Sequence, residues 1–170
     1  MLALVLGEVY IVLCGGTLLS PAAILQMLGV ILLSVLASST MLFFLVTFFD
    51  SQSAFSTAGT IIGTLIGFVT GIYLPIGTLP SAVQWLVKLF PLSHAAALMR
   101  QILLAEPLAE SFAALPPEAL SGFQNALGIT LTFGDHTAAP WLHIGVLLLT
   151  AGIFALLSLW RLNTSSRRIH

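Results

Sequence analysis

Charged residues are scarce in this chain of 170 residues, which has only five Lys and Arg and six Asp and Glu, or 6% of the sequence. An ordinary soluble domain is about one quarter charged. Hydrophobic residues make up 58%, and the mean hydropathy is +1.10. With so little charge the exterior must mostly face lipid or other apolar protein. The composition therefore predicts an all-α membrane protein, with one transmembrane domain over 1–170.

Other absences narrow the function. No basic stripe exists that could neutralise nucleic-acid phosphates, so a nucleic-acid partner is not expected. Cys14 is the one cysteine, so no intrachain disulfide can form. The sequence has no phosphate-binding loop, no Ser-His-Asp or Cys-His arrangement, and no metal-ligand spacing among His94, His136 and His143. We therefore expect no enzyme, no metal site and no cofactor bound by this chain.

Four windows are apolar and long enough to cross a bilayer, which takes about 20 residues. A Ser20-Pro21 turn follows the first window, Asp50 ends the second, and Pro140 suits the first position of the last helix. The predicted spans cover about 1–19, 22–49, 56–74 and 140–160.

The segment between the last two spans is different in character. Pro91 divides its first part into pieces that are too short to cross the bilayer. We predict two short helices, about 80–90 and 93–105, the second capped by Ser93, which lie in the interface or re-enter the membrane. The polar remainder, 106–139, is predicted to be a loop.

The basic residues indicate the orientation. Arg161, Arg167 and Arg168 follow the last span, so the positive-inside rule places the tail, 161–170, in the cytoplasm of a cell whose plasma membrane holds the protein. Four spans then place the short helices outside. There Lys88 and Arg100 either reach the outer headgroups or pair with acidic residues, Glu106 or Glu110.

Small residues recur along the third span. Its glycines come at every fourth position and form one groove on a helix. Two interpretations are open: a packing face within the chain or in a dimer, and a face that slides during transport. The glycines are Gly59, Gly63, Gly67 and Gly71.

Glu8 interrupts the first apolar window. A carboxylate within a span is a candidate for a transport function, since burying it in lipid is costly. The alternatives are that Glu8 lies near the cytoplasmic end of the helix, is protonated, or is hydrogen-bonded to a neighbouring span.

Several short motifs occur in an order that resembles the membrane permease of type-2 ABC exporters. Pro75 ends a glycine-rich span, Pro80 starts a short helix, Pro91 lies in the sequence Phe-Pro-Leu-Ser-His, and Arg100 closes the second short helix. The loop 49–53, Phe-Asp-Ser-Gln-Ser, is similar to its counterpart in that family. The densest match covers about 40 residues.

The resemblance implies a six-span permease that dimerises and moves substrate between its two halves when separate ATPase subunits close on ATP and Mg²⁺. This chain is similar to the C-terminal four-span portion, with the short helices as an outer cap. Its missing first spans suggest a fragment, a split gene or a misassigned start. The expected pathway residues are Thr60, Thr64, Phe68 and Glu8.

The function implied is therefore export of a hydrophobic or amphipathic substrate such as a drug, antibiotic or lipid. Two alternatives stay open. A secondary transporter would need intramembrane ionisable residues and repeated halves, and only Glu8 and His143 qualify as such residues. A non-transporting assembly or regulatory subunit is the other.

Overall fold

The computed structural model describes residues 2–14, 18–134 and 136–166. Within these ranges the chain forms eight α-helices, one 3₁₀ turn and one small antiparallel hairpin, which confirms the all-α membrane fold. The elements are α1 (Leu2–Leu13), α2 (Pro21–Val46), α3 (Gln52–Val69), the 3₁₀ turn (Ile76–Thr78), α4 (Ser81–Leu89), α5 (Pro91–Leu103), α6 (Ala105–Ser111), α7 (Pro117–Ala126), β1 (Thr132–Phe133), β2 (His136–Thr137) and α8 (Pro140–Ser166).

Three of these helices are long and apolar enough to cross a membrane, namely α2, α3 and α8. The helices α4 and α5 are together apolar enough for a fourth crossing, but they are bent by 85° at the break between them. Phe90 is the residue at this break and Pro91 begins α5. Proline cannot continue a helix that precedes it, because it lacks the backbone N–H. The bent pair is therefore a broken span or a re-entrant loop.

The first helix is shorter than the predicted span of about 1–19. Twelve residues of α1 extend for about 18 Å, whereas the hydrocarbon core of a bilayer is about 30 Å thick. Residues 15–17 lie outside the described ranges. The described residues of α1 are therefore too few to cross the bilayer on their own.

Serine side chains cap the N-termini of two membrane helices, α2 and α3. The Ser20 hydroxyl accepts a hydrogen bond from the backbone N–H of Ala23 at 3.2 Å, and the Ser51 hydroxyl accepts one from Ala54 at 3.2 Å. Each bond satisfies a backbone donor of the first helical turn. As a result α3 begins at Gln52, about one turn before the predicted start at 56.

Two predictions for the segment between α3 and α8 are wrong. Ser93 does not cap α5, because the helix already begins at Pro91 and the Ser93 hydroxyl instead donates to the Val69 carbonyl at 3.0 Å. The range 106–139 is not one loop, since it contains most of α6, all of α7 and the hairpin. The last helix also continues to Ser166, so the predicted tail starts inside α8.

The helices α2, α5 and α8 pack around a common apolar core. Three of its six buried residues are alanines, and such small side chains let helix backbones approach closely where lipid offers no hydrophobic driving force. The core consists of Val30, Ala37, Ala95, Leu98, Leu147 and Ala151. It fixes α5 between two membrane spans.

A second apolar cluster joins the shorter elements to this bundle. Val87 and Ala97 contribute from the bent pair, Ile76 from the 3₁₀ turn, and Leu131 and Ala138 from the two sides of the hairpin. By contrast, Gly67 is the one buried residue of α3. That helix therefore turns most of its surface away from the described part of the chain.

Candidate functional site

A partly open cavity of about 960 Å³ lies between α2, α5, α6 and α8. Its volume is at the upper end of the range for ligand-binding pockets, about 300–1,000 Å³. One wall is apolar and is built from the same helices as the core. That wall contains Val30 and Leu33 of α2, Leu98 and Ile102 of α5, and Ile144 of α8.

Polar side chains line other parts of the cavity. Gln26 is the one amide in α2. Gln101 lies in the last turn of α5 and donates from Nε2 to the Ile129 carbonyl at 2.8 Å. Glu106 and Glu110 face the cavity from α6. A cavity with an apolar wall and a few polar groups is the usual form of a small-molecule site.

The fold brings three helix ends together at this point. The cavity is lined by Ser20 and Ala23 at the start of α2, by Leu103 and Ala105 where α5 passes into α6, and by Pro140 at the start of α8. The opposite end of the bundle is closed by Arg161, whose Nε and Nη2 donate to the Thr47 carbonyl at 3.2 and 3.1 Å. The cavity therefore lies at the end of the bundle opposite to Arg161, which is the end that the positive-inside rule predicts to be outside.

Arg100 connects the bent pair to the end of α3. Its Nη2 donates to the carbonyls of Thr70 at 2.9 Å and Gly71 at 3.0 Å, where the partial negative charge at a helix C-terminus favours a cation. Its Nη1 is buried and has no hydrogen-bond partner in the described part of the chain. Neither predicted alternative for Arg100 is right, since it neither reaches outward nor pairs with Glu106 or Glu110.

Two histidines that are distant in sequence form a buried pair. His94 and His143 are 2% and 0% exposed, and their Nδ1 atoms are 2.7 Å apart. Nε2 of His94 lies 2.9 Å from the Lys88 carbonyl, which can only accept, so His94 donates there. In a neutral pair, Nδ1 of His94 then accepts and Nδ1 of His143 donates. The pair joins α5 to α8.

The predicted glycine face is divided into two parts. A Cβ on Gly59 or Gly63 would meet nothing within 4 Å in the described structure. A Cβ on Gly67 would overlap the ring of Tyr73, which folds back against the helix, and Gly71 has φ +72°, a conformation that favours glycine. Half of the face thus forms the turn that ends α3, and half is open.

The structure does not bring the predicted pathway residues to the cavity. Thr60 and Thr64 are exposed, and their hydroxyls donate to carbonyls four residues earlier in α3. Phe68 is 41% exposed and contacts the Tyr73 ring edge to face. Glu8 accepts a hydrogen bond from the Leu19 backbone N–H at 3.1 Å and lies in a smaller groove beside α2.

The remaining predicted residues have structural positions. Pro75 precedes the 3₁₀ turn, Pro80 precedes α4 and Pro91 opens α5. Lys88 places its Nζ 5.4 Å from the centroid of the Trp85 ring, a cation–π contact rather than an ion pair. Among the described residues, no three His, Cys, Asp or Glu side chains are grouped so that they could hold a metal.

Sequence reasoning missed the residues that line the cavity. Gln26 carried a signal, because an amide stands out in an otherwise apolar span. Glu106 and Glu110 are four residues apart and lie on the same side of a helix. The spacing indicates a shared helix face only if residues 105–111 form a helix. The polar composition of this segment favoured a loop instead.

Comparison with known proteins identifies one family. The family model described as ABC-2 family transporter protein matches residues 1–160. No curated protein and no solved structure matches the chain.

Proposed function

This chain belongs to the ABC-2 transporter family, and we propose that it forms a substrate pathway of an ATP-driven exporter for hydrophobic or amphipathic molecules. A membrane component of an ABC transporter has no need of a catalytic group of its own. The cavity between α2, α5, α6 and α8 is the observation that carries the proposal. Its apolar wall suits a substrate that partitions into lipid.

ATP and Mg²⁺ bind to a separate ATP-binding subunit in this proposal. A second permease copy, identical or related, completes the transporter. The open part of the glycine face, Gly59 and Gly63, is the contact for that copy in this proposal, because small residues allow close helix approach in lipid. The assembly is a multi-pass protein of the plasma membrane, with its C-terminus in the cytoplasm.

Hydrogen bonds connect the cavity wall to α3, the helix that turns most of its surface away from the rest of the described chain. Arg100 and Ser93 of α5 both bond to carbonyls at the end of α3. Leu98 and Ile102 of the same helix line the cavity. A rigid displacement of α3 therefore either moves this wall or breaks the bonds, which gives the proposed ATP-driven motion a physical route to the substrate.

A tryptophan scan at two neighbouring positions tests the proposal. Leu33 lines the cavity, whereas Leu32 is 71% exposed and does not. The protein is co-expressed with a candidate ATP-binding subunit and reconstituted in vesicles, and ATP-dependent movement of a neutral lipophilic dye is measured. We expect Leu33→Trp to reduce transport at least tenfold, because it places a bulky indole in the apolar wall of the cavity, and Leu32→Trp to leave transport within twofold.

Three outcomes would contradict the proposal. Equal transport by both variants would exclude the cavity as pathway. Uptake driven by an ion gradient without any ATPase would indicate a secondary transporter. Stable association with an ATPase, combined with no movement of any dye, would favour a regulatory subunit.

A further inference from the structure

We propose that the cavity selects amphipathic organic cations, with its aliphatic wall binding the apolar part and Glu106 and Glu110 binding the positive end. The inference rests on the proposed function, because it names the substrate class of the same cavity. It is carried by the charges of the cavity lining, by the geometry of α6 and by the position of the apolar wall.

The lining carries charge of one sign only. Among the described residues that line the cavity, Glu106 and Glu110 are the charged ones, and none is Lys, Arg or His. Both carboxylates are exposed, and neither has a hydrogen-bond or ion-pair partner within the described part of the chain. In a protein with so few charges, two unpaired acidic groups at one cavity leave a net negative site that a cation would neutralise.

The geometry of α6 directs both groups to the same place. Glu106 and Glu110 are separated by four residues and so lie on one side of the helix. Leu108, two residues from each, lies on the opposite side and is buried. Packing of Leu108 fixes the rotation of α6, so the acidic side faces the cavity rather than the bundle.

The apolar wall adds the second requirement. Val30 and Leu33 of α2 lie beside Leu98 and Ile102 of α5 in one apolar wall. The two glutamates lie beyond the C-terminal end of α5. A ligand with a bulky apolar body and a single positive charge satisfies both regions together. A small inorganic cation leaves the apolar wall unused, and an amphipathic anion brings like charges together.

The expected discrimination follows from Coulomb's law. A single charge about 4 Å from a carboxylate gains about a fivefold affinity in surroundings like bulk water, and more where solvent is excluded. Two carboxylates therefore favour a cation over a neutral molecule by about fivefold if one of them lies near the charge, and by about 25-fold if both do. Salt weakens this preference, because both groups are exposed.

Two ions of the same shape and opposite charge provide the probe. Tetraphenylphosphonium and tetraphenylborate are added to the detergent-solubilised protein, and binding is measured by equilibrium dialysis with the detergent background subtracted. Glu106→Gln with Glu110→Gln removes both charges while keeping side-chain size. Glu118→Gln, on an exposed position of α7 away from the cavity, removes one charge elsewhere and is the matched control.

We expect the phosphonium ion to bind the wild-type protein at least tenfold more tightly than the borate ion. The double variant should lose at least fivefold of the phosphonium affinity, and the Glu118→Gln control should lose less than twofold. Leu33→Trp, which alters the apolar wall, should weaken the binding of both ions. Unchanged phosphonium affinity in the double variant, or equal binding of the two ions to the wild type, would overturn the inference.

The transport assay separates the two proposals. The double variant could still move the neutral lipophilic dye with ATP and bind phosphonium as tightly as the wild type does. That result would contradict the proposed charge selectivity and leave the exporter function unaffected. If the protein binds phosphonium selectively but transports nothing, the binding site is supported and the exporter function is contradicted.

Discussion

Arg100 offers the sharpest test of how the bent pair α4 and α5 is held to the end of α3. Arg100→Met keeps an unbranched apolar stem but removes the guanidinium. Two hydrogen bonds to the carbonyls of Thr70 and Gly71 are lost. Each bond from a charged donor contributes about 1.5–3 kcal/mol.

The net cost should be smaller than the sum of these bonds. Nη1 of Arg100 is buried without a partner in the described part of the chain, and such a group costs about 1–3 kcal/mol. Methionine removes this penalty together with the bonds. We therefore expect the last turn of α3 to lose about 2 kcal/mol of local stability.

Hydrogen–deuterium exchange measures this loss directly. The backbone N–H groups of Thr70, Gly71 and Ile72 bond to carbonyls within the last turn of α3, and a loss of 2 kcal/mol raises their exchange rate about 30-fold. Arg100→Lys is the control. Its ammonium can reach one carbonyl but lacks the planar fork of arginine, so the increase should be intermediate.

The result that would refute this reasoning is specific. If Arg100→Met leaves exchange in the last turn of α3 within threefold of the wild type, the two hydrogen bonds do not hold that turn. If exchange rises equally in α8, the substitution has loosened the whole bundle and the effect is not local.

Two further substitutions test local packing in detergent by thermal unfolding. Gly67→Ala should displace the Tyr73 ring, which is 59% exposed and can turn away, so we expect it to be less favourable than Gly63→Ala by up to about 1 kcal/mol. Gly63→Ala meets open space and should be neutral or stabilising by up to about 1 kcal/mol, and equal effects would contradict the structure. His143→Phe leaves a buried nitrogen of His94 unpaired and should cost about 1–3 kcal/mol, part of which the double replacement by Phe should restore; strictly additive losses would show that the rings do not interact.

The sequence pattern was sufficient to predict those parts of the fold in which a residue type has a single structural consequence. Long apolar runs located α2 and α8 because no other structure satisfies backbone groups in lipid. Pro91 located the break in the bent pair because proline cannot continue a helix. Ser20 and Pro21 marked a helix start for the same kind of local reason.

Contacts between distant residues left no such signal. His94 and His143 are 49 positions apart, and neither has a spacing that points to the other. The acceptors of Arg100 are backbone carbonyls, which every residue has, so its side chain suggested lipid headgroups or acidic partners instead. Short polar helices such as α6 also lack the apolar period by which helices are recognised.

The helix α5 contacts the membrane spans α2 and α8, the end of α3 and the cavity. One side of the helix packs between α2 and α8, its polar groups Ser93 and Arg100 bond to the end of α3, and its Leu98 and Ile102 line the cavity. A helix held on these sides cannot shift without changing the cavity or breaking a bond. Because α3 is otherwise little buried in the described structure, its hydrogen bonds to α5 are the contacts through which a force on its open face can act on the cavity wall.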